Sequence, residues 1–361
     1  MLPRSHLPFY NPKKSYEENF KNGPFGIFKE KMSRLNLDIG KPKFDFLGFK
    51  VNAPFGIPAG PLINSNFCQG AFRKGFDICV YKTVRSAIFP CHSFPNILSV
   101  KVKGDLTLKK ARGKLIADNK YTAPISITNS FGVPSKNLKI WQKDVKKAVS
   151  YARVGQILVL SFMGTVRENQ TREEFIADYK LAGKLAKETG ARILETNLSC
   201  PNIGKEGLVC YDLDITEEIC EAIRKEIENI PLILKVGYYK NYEDIKKIAV
   251  IAKKYAQAIS AINTIPAEIV DKDGHQALPG LNRKKSGICG ASIKWAGLEM
   301  VKKLKMVRKE IGADFKIIGV GGVMTPDDFF QYRKAGADFV MSATGAMWNP
   351  YLAKEIKERL R

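Results

Sequence analysis

The chain has 361 residues, of which 59 are lysine or arginine and 36 are aspartate or glutamate, and its formal net charge is +23. Seven cysteines without a C-x-x-C pair, and only three histidines, exclude a zinc or iron–sulfur ligand set within the chain. No apolar run is long enough to cross a bilayer, and the start MLPRSHLPFYNPKKSYEENF lacks the apolar core of a signal peptide. We therefore expect a cytoplasmic protein without a transmembrane segment, whose redox chemistry, if any, uses an organic cofactor or a partner's metal centre.

The excess of positive charge favours anionic ligands such as phosphates and carboxylated substrates. The basic residues are nevertheless spread along the whole chain, without a recognition helix or an aromatic-rich basic motif. We interpret most of them as a solvated surface and expect no nucleic-acid partner.

From residue 53 onward, short β-rich runs alternate with longer helical patterns, as in βαβ units around a parallel sheet. The helix signals are clear at 171–190, where Thr171 can cap the first turn and Gly190 follows the last. Eight such units predict an α/β fold, a TIM (β/α)8 barrel, with a doubly wound open sheet as the alternative. The predicted strands are 53–59, 76–83, 156–163, 191–198, 231–237, 257–263, 315–321 and 338–344. The predicted helices are 171–190, 216–227, 241–255, 294–311 and 325–336.

Two segments lie outside this repeat. Residues 1–45 form an N-terminal extension to a barrel domain at 46–361, and a short amphipathic helix is predicted within 19–32. Residues 84–136 form a long insertion after strand 2, which begins with a basic part and ends in APISITNSFGVPS. Insertions at this end of a barrel are typically functional, because active sites lie on the loops after the strands.

Polar residues stand at the carboxyl ends of the predicted strands, which meet at one mouth of a barrel. Lys82 and Lys235 lie in apolar strands, where an unpaired ammonium group is costly, so each is expected to face an anion or an acceptor-rich ligand. Cys200 follows the fourth strand, between Asn197 and Asn202, whereas a packing cysteine belongs inside an apolar run. Glycines follow strands seven and eight, the usual position of a barrel phosphate site, and SGICGASIKW offers a third glycine-rich turn.

The sequence NLSCPN, together with the two lysines, the Asn263–Thr264 pair and the glycines of IIGVGGV, resembles the dihydroorotate dehydrogenase family. The likeness runs from about residue 46 to 350, and ITNSFGVPS is similar to the family's I-N-S-x-G-x-P loop against the substrate. The resemblance implies an FMN-dependent oxidoreductase of pyrimidine biosynthesis that oxidises (S)-dihydroorotate to orotate.

The resemblance also implies roles for individual residues. Cys200 would be the catalytic base that removes the C5 proton while a hydride passes from C6 to N5 of FMN. A thiol, with an ordinary pKa of about 8.5, needs only a modest downward shift for this role. Cys210, Cys220 and Cys289 have no such setting and are interpreted as packing residues. The implied substrate-binding residues are Lys82, Asn129, Ser130, Phe131, Gly132, Val133, Asn197, Asn202, Asn263 and Thr264. The implied cofactor-binding residues are Ala59, Gly60, Lys82, Thr83, Asn129, Asn197, Lys235, Asn263, Gly287, Gly290, Gly321, Gly322, Thr344 and Gly345.

The electron acceptor stays open. Relatives with a cysteine base use fumarate as homodimers, or pass electrons to NAD through an iron–sulfur partner subunit, and we expect a homodimer with a soluble acceptor. Asn96 stands where many of these relatives carry an arginine. Two other functions remain as alternatives: a dihydropyrimidine dehydrogenase-type flavoenzyme acting on uracil-type rings, and a non-catalytic barrel that binds phosphate or nucleic acid. ITNSFGVPS favours dihydroorotate, because in the family this loop meets the orotate carboxylate.

Overall fold

A computed structural model describes residues 7–30, 41–199, 208–281 and 283–361. In chain order its strands are β1 (Phe44–Phe46), β2 (Phe49–Val51), β3 (Phe55–Ile57), β4 (Ile78–Val84), β5 (Ile97–Val100), β6 (Lys114–Asp118), β7 (Ser126–Asn129), β8 (Ile157–Phe162), β9 (Ile193–Asn197), β10 (Leu232–Val236), β11 (Ala258–Ala261), β12 (Ile265–Val270), β13 (Lys285–Gly290), β14 (Lys316–Val320) and β15 (Phe339–Met341). Its α-helices are α1 (Tyr16–Asn22), α2 (Ser65–Arg73), α3 (Leu108–Ala111), α4 (Leu138–Ser150), α5 (Arg172–Lys187), α6 (Leu213–Ile227), α7 (Tyr242–Tyr255), α8 (Lys294–Glu310), α9 (Pro326–Ala335), α10 (Thr344–Trp348) and α11 (Leu352–Arg359).

The eight predicted strands close into one parallel barrel in the order β3, β4, β8, β9, β10, β11, β14, β15. These strands are almost entirely buried, since the barrel interior covers one face and helices cover the other. The predicted TIM barrel is therefore confirmed.

The five predicted helices are present as α5 to α9, and α6 begins three residues earlier than predicted, at Leu213 after its N-cap Asp212. Thr171 caps α5 and forms a capping box with Glu174, and Thr325 does the same for α9 with Asp328. Gly336 ends α9 in the left-handed conformation with φ 118°, which favours glycine. Within the described residues, no helix combines the length and the apolar character that crossing a membrane requires.

The barrel interior is apolar at its amino-terminal end and polar at its carboxyl end. The hairpin β1–β2 closes the apolar end, where the Phe46 ring packs edge-on against Phe339 with centroids 4.7 Å apart. Ile193 and Ile233 belong to this apolar layer. Because side chains alternate along a strand, Glu195 and Lys235 project into the same interior, two residues nearer the carboxyl end.

A second, smaller sheet covers the carboxyl end of the barrel. Strands β5, β6 and β7 of the insertion join β12 and β13, which follow β11, in a closed sheet of five strands. SGICGASIKW was predicted to form a glycine-rich turn, but its first five residues belong to β13, which pairs with β7 and β12. The long insertion therefore folds together with a second inserted segment, β12 and β13, into a sheet over the barrel. The sequence patterns did not identify this second segment as an insertion.

The N-terminal segment, residues 7–30, packs against the barrel. The single helix predicted within 19–32 was wrong, since α1 ends at Asn22 and a short 3₁₀ turn follows at Gly26–Lys29. Pro24 accounts for the break, because a proline disfavours the helical conformation of the residue before it, here Gly23. Gly23 fits here because an added Cβ would lie 2.3 Å from the Phe67 ring. Residues 31 and 32 lie outside the described residues.

Candidate active site

A cavity of about 400 Å³ lies between the carboxyl end of the barrel and the small sheet. Cys200 and Asn202 lie outside the described residues. Every other predicted site residue lines this cavity: Ala59, Gly60, Lys82, Thr83, Asn129, Ser130, Phe131, Gly132, Val133, Asn197, Lys235, Asn263, Thr264, Gly287, Gly290, Gly321, Gly322, Thr344 and Gly345.

Lys235 forms part of the cavity floor. Its Nζ donates to the carbonyl oxygen of Ala59 at 3.2 Å, and burial lowers its pKa while nearby Glu195 opposes that shift. Glu195 is fully buried, with the Ser161 hydroxyl and the Lys235 ammonium group beside it. Burial raises the pKa of Glu195, and the charge of Lys235 works against this rise. A buried carboxylate therefore helps to keep a cation beneath the cavity.

Lys82 is a second buried cation at the cavity wall. Its Nζ donates to the carbonyl oxygens of Thr83, at 2.6 Å, and of Pro134. Burial lowers its pKa to about 7, and the charge of nearby Arg85 adds to that effect. Two carbonyl acceptors partly satisfy the ammonium group. Lys82 therefore gains or loses its proton near neutral pH, and an anion placed beside it would favour the protonated form.

Amide side chains form a chain of hydrogen bonds across the end of β9. Asn263 Nδ2 donates to Asn197 Oδ1 at 3.4 Å, and Asn197 Nδ2 donates to the Thr83 hydroxyl, also at 3.4 Å. The Ser199 amide donates to Asn197 Oδ1 at 3.1 Å, and Ser199 itself lines the cavity. Asn197 and Ser199 therefore line the cavity at the end of β9, and Cys200 is the next residue in the sequence.

The other end of the cavity is built largely of backbone. Gly290, Gly321 and Gly322 have φ values of 97°, 120° and 66°, a region that glycine adopts without strain. At Gly322, a Cβ would approach the Lys294 amide nitrogen to 2.7 Å, so a side chain has no room. These glycines expose backbone N–H groups at the ends of β13 and β14, and such exposed backbone after barrel strands is typical of a phosphate site.

Cys210 and Cys220 are buried in the core and Cys289 packs against it, as predicted, and Cys289 also lines the cavity. The Cys289 Sγ accepts two hydrogen bonds, one from the Asn129 side-chain amide at 3.4 Å and one from the Thr344 hydroxyl at 3.6 Å. These bonds tie β7 and β13 to α10. The contact could not be predicted, because it depends on the pairing within the small sheet.

Two arginines hold the loop that follows β7. Arg283 donates to the hydroxyl and carbonyl oxygens of Ser130, both at 3.1 Å, and to the carbonyl oxygens of Ser93 and Pro95. Arg85 donates to the carbonyl oxygen of Val133 at 2.9 Å and to that of Gly132 at 3.1 Å. These bonds hold Val133 at a φ of 52°, which is unfavourable for a β-branched residue.

Asn96 is buried beside the loop after β7, and its side-chain amide donates to the carbonyl oxygen of Ser130 at 3.0 Å. Arg283 reaches the same carbonyl from the loop between β12 and β13. A guanidinium group therefore supports this loop from a different point in the sequence. Sequence reasoning missed Arg283, which carries no local motif.

Sequence reasoning also missed cavity residues outside the barrel. Tyr10 and Tyr16 of the N-terminal segment line the cavity, as does His92, whose Nδ1 lies 3.4 Å from the Ser130 hydroxyl. Nothing in their local sequence marks them. Glu195 could have been found, because a charged residue in an apolar strand is the same signal that identified Lys82 and Lys235.

Comparison with known proteins identifies the family of this chain. The family model for dihydroorotate dehydrogenase matches residues 116–361. The dihydroorotate dehydrogenase of Dictyostelium discoideum is 35% identical over 356 residues, which cover 96% of this chain and 95% of that protein. The catalytic subunit of dihydroorotate dehydrogenase B (NAD(+)) from Thermodesulfovibrio yellowstonii is 28% identical, over 74% of this chain and 82% of that subunit. Its counterpart from Thermoplasma acidophilum is 31% identical, over 63% of this chain and 70% of that subunit. The chain therefore belongs to the dihydroorotate dehydrogenase family.

Proposed function

We propose that this protein oxidises dihydroorotate to orotate in pyrimidine biosynthesis, with FMN as cofactor and Cys200 as catalytic base. The observation that carries the proposal is the single cavity that gathers lysines, asparagines and glycines from strand ends far apart in sequence. Membership of the dihydroorotate dehydrogenase family supports the same reaction.

The cavity lining fits FMN. At Gly60, an added Cβ would meet no atom within 4 Å, so bare backbone there leaves space for a flat ring above the barrel. Lys235 uses one ammonium proton on Ala59 and has others to donate to an acceptor-rich ring edge. The glycines at the ends of β14 and β15 suit the phosphate. When bound, FMN supplies the hydride acceptor of the reaction.

The remaining lining fits a small anionic pyrimidine. Amide side chains such as Asn129, Asn197 and Asn263 both donate and accept, which matches the alternating N–H and C=O groups of the ring. Lys82 supplies positive charge, and the backbone from Ser130 to Val133 would receive the carboxylate. Cys200 would take the C5 proton, since it directly follows the cavity residue Ser199.

We propose a soluble electron acceptor and a homodimer in the cytoplasm. Fumarate is the simpler acceptor, whereas the B-type relatives are named as NAD(+)-dependent catalytic subunits and would need a partner subunit. The cysteines of the described residues, Cys68, Cys79, Cys91, Cys210, Cys220 and Cys289, are free thiols, which suits a reducing compartment. Reoxidation of the reduced protein by fumarate, tested against NAD, separates the two acceptors.

An anaerobic absorbance spectrum tests the substrate and the cofactor together. We expect the purified protein to show a flavin band that dihydroorotate bleaches and dihydrouracil leaves unchanged. Bleaching by dihydrouracil alone would instead assign the protein to uracil-type substrates. A protein without a flavin band, even after addition of FMN, would contradict the proposed function altogether.

The pKa of Lys82 predicts how orotate affinity depends on pH. Burial and the charges of Arg85 and Lys136 lower the pKa of Lys82 to about 7, and Cys91 opposes this shift. In the ligand-free protein Lys82 is therefore charged below about pH 7 and neutral above it. An anion beside Lys82 binds better to the charged form, so binding raises this pKa. We expect the Kd of orotate to be flat below pH 7 and to rise by up to about tenfold per pH unit above it.

Titrations of the flavin-loaded protein with orotate between pH 6 and 8.5, followed by flavin absorbance, measure this dependence. Lys82→Met is the matched control, because it removes the titrating group and keeps a side chain of similar length. This variant should bind orotate weakly and without the rise above pH 7. The same pH profile in both proteins would exclude Lys82 as the group responsible.

A further inference from the structure

We propose that the N-terminal segment is part of the substrate site and that the hydroxyl of Tyr10 donates a hydrogen bond to bound dihydroorotate or orotate. This inference rests on the proposed function, because it takes the identity of the ligand from it. It adds a contact from outside the barrel, which neither the sequence motifs nor the family resemblance assign.

The hydroxyl of Tyr10 is buried without a partner. Tyr10 lines the cavity with 2% of its surface exposed, and its hydroxyl oxygen has no hydrogen-bond partner among the residues that the structure describes. Burial raises its pKa above the ordinary value, so the group stays protonated and can donate. A buried hydroxyl left unpaired is costly, and a ligand acceptor in the cavity would remove that cost.

The position of Tyr10 points to the substrate and away from the phosphate. Its ring packs edge-on against Phe131, with centroids 5.6 Å apart and an interplanar angle of 89°. Tyr16 packs against the same ring from 6.2 Å. Phe131 lies in the loop after β7, which is the part of the cavity proposed to receive the orotate carboxylate. The glycines proposed to hold the phosphate lie in β13, directly after β14 and in α10, and not in this loop.

The N-terminal segment is anchored at several points along its length. The Phe9 amide donates to the carbonyl oxygen of Met347 at 3.2 Å, and Asn64 Nδ2 donates to that of Phe20 at 2.8 Å. Glu17 forms an ion pair with Lys136, which lies just beyond the Phe131 loop. Phe9 itself is fully buried between the Phe28 and Phe67 rings. Tyr10 is therefore presented by a fixed wall of the cavity.

Tyr10→Phe tests the proposal, since it removes the hydroxyl and keeps the ring packing. We expect the Kd of orotate for the flavin-loaded protein to rise about tenfold, while the Kd of FMN for the apoprotein stays unchanged. The ligand-free variant should unfold at the same temperature as the wild type or higher, because the Tyr10 hydroxyl has no hydrogen bond to the described residues that could be lost. Flavin absorbance titrations and thermal denaturation supply these readouts.

Tyr121→Phe is the matched control. The Tyr121 hydroxyl donates to the carbonyl oxygen of Ile97 at 3.0 Å and the residue does not line the cavity, so this variant should lose thermal stability and keep its orotate affinity. An unchanged orotate Kd in Tyr10→Phe would overturn the inference while leaving the proposed function intact. A change in FMN affinity alone would also overturn it. Failure of the wild type to bind orotate would refute the proposed function and the inference with it.

Discussion

Replacing Cys200 with alanine is expected to slow reduction of the flavin by dihydroorotate by about 10²- to 10⁴-fold, the usual contribution of a positioned general base. The thiolate is the form that accepts a proton, and the buried cations Lys82 and Lys235 of the same cavity would favour it. Orotate binding should change much less, because the asparagines and Lys82 are retained. Anaerobic stopped-flow measurements of flavin bleaching give the rate directly.

Two further variants make this prediction specific. Cys200→Ser should be slow near neutral pH, since a serine hydroxyl is a far weaker acid than a thiol, and its rate should rise as the pH increases. Cys220→Ser is the matched control, because Cys220 is a buried free thiol of α6 that does not line the cavity, and its flavin reduction should stay at the wild-type rate. Wild-type rates of flavin reduction in Cys200→Ala would rule out this residue as the base.

Replacing Lys357 with methionine is expected to lower the free energy of unfolding by about 3–5 kcal/mol, a large share of the roughly 5–15 kcal/mol that stabilises a typical domain. Lys357 of α11 is 4% exposed and lies 2.7 Å from Asp77, whose side chain is fully buried at the start of β4. In the variant this carboxylate stays buried. Among the described side chains, only the Asn52 amide then donates a hydrogen bond to it, at 3.3 Å. Urea denaturation followed by circular dichroism measures the loss.

The pH dependence of this variant identifies the buried carboxylate as the cause. Burial already raises the pKa of Asp77, and Lys357 opposes that rise, so removal of Lys357 raises it further. A folded-state pKa above the unfolded value means that the folded protein binds more protons, so its stability falls as the pH rises. The variant should therefore lose less stability at pH 5 than at pH 7.

Lys354→Met on the same helix is the control for this variant, because Lys354 forms an exposed ion pair with Glu358. Its effect should be at most about 1 kcal/mol. The double variant Asp77→Asn/Lys357→Met should recover a large part of the stability lost in Lys357→Met. Equal losses in the Lys354 and Lys357 variants would show that the buried pair contributes nothing special.

The barrel and most of its cavity could be predicted from the sequence because their physical signals are local. A strand buried on both faces is a continuous apolar run, so Lys82 and Lys235 stand out within β4 and β10. Parallel strands carry their carboxyl ends to one side, which brings residues such as Asn197 and Asn263 together once the barrel is assumed. Capping residues such as Thr171 fixed the helix ends.

The small sheet and the N-terminal segment could not be predicted because their signals are not local. Strand β7 is short, and its partner β13 follows after most of the barrel, so no periodicity connects them. Arg283 and Asn96 meet at Ser130 only because this sheet closes. Likewise, Tyr10 reaches the cavity because Phe9 and Phe28 pack on the barrel, which their local sequence does not reveal.

The pairing of β7 with β13 also sets the order in which the protein can be completed during synthesis. Roughly 150 residues separate the two strands, so at the usual rates of translation β13 leaves the ribosome about 8 to 30 s after β7. Strand β6 likewise cannot pair with β12 until β12 has been synthesised. Throughout this interval the nascent chain carries an insertion with unpaired strand edges, and its barrel lacks β14 and β15. The cavity is therefore completed late in synthesis, and a chain interrupted before residue 290 cannot form it.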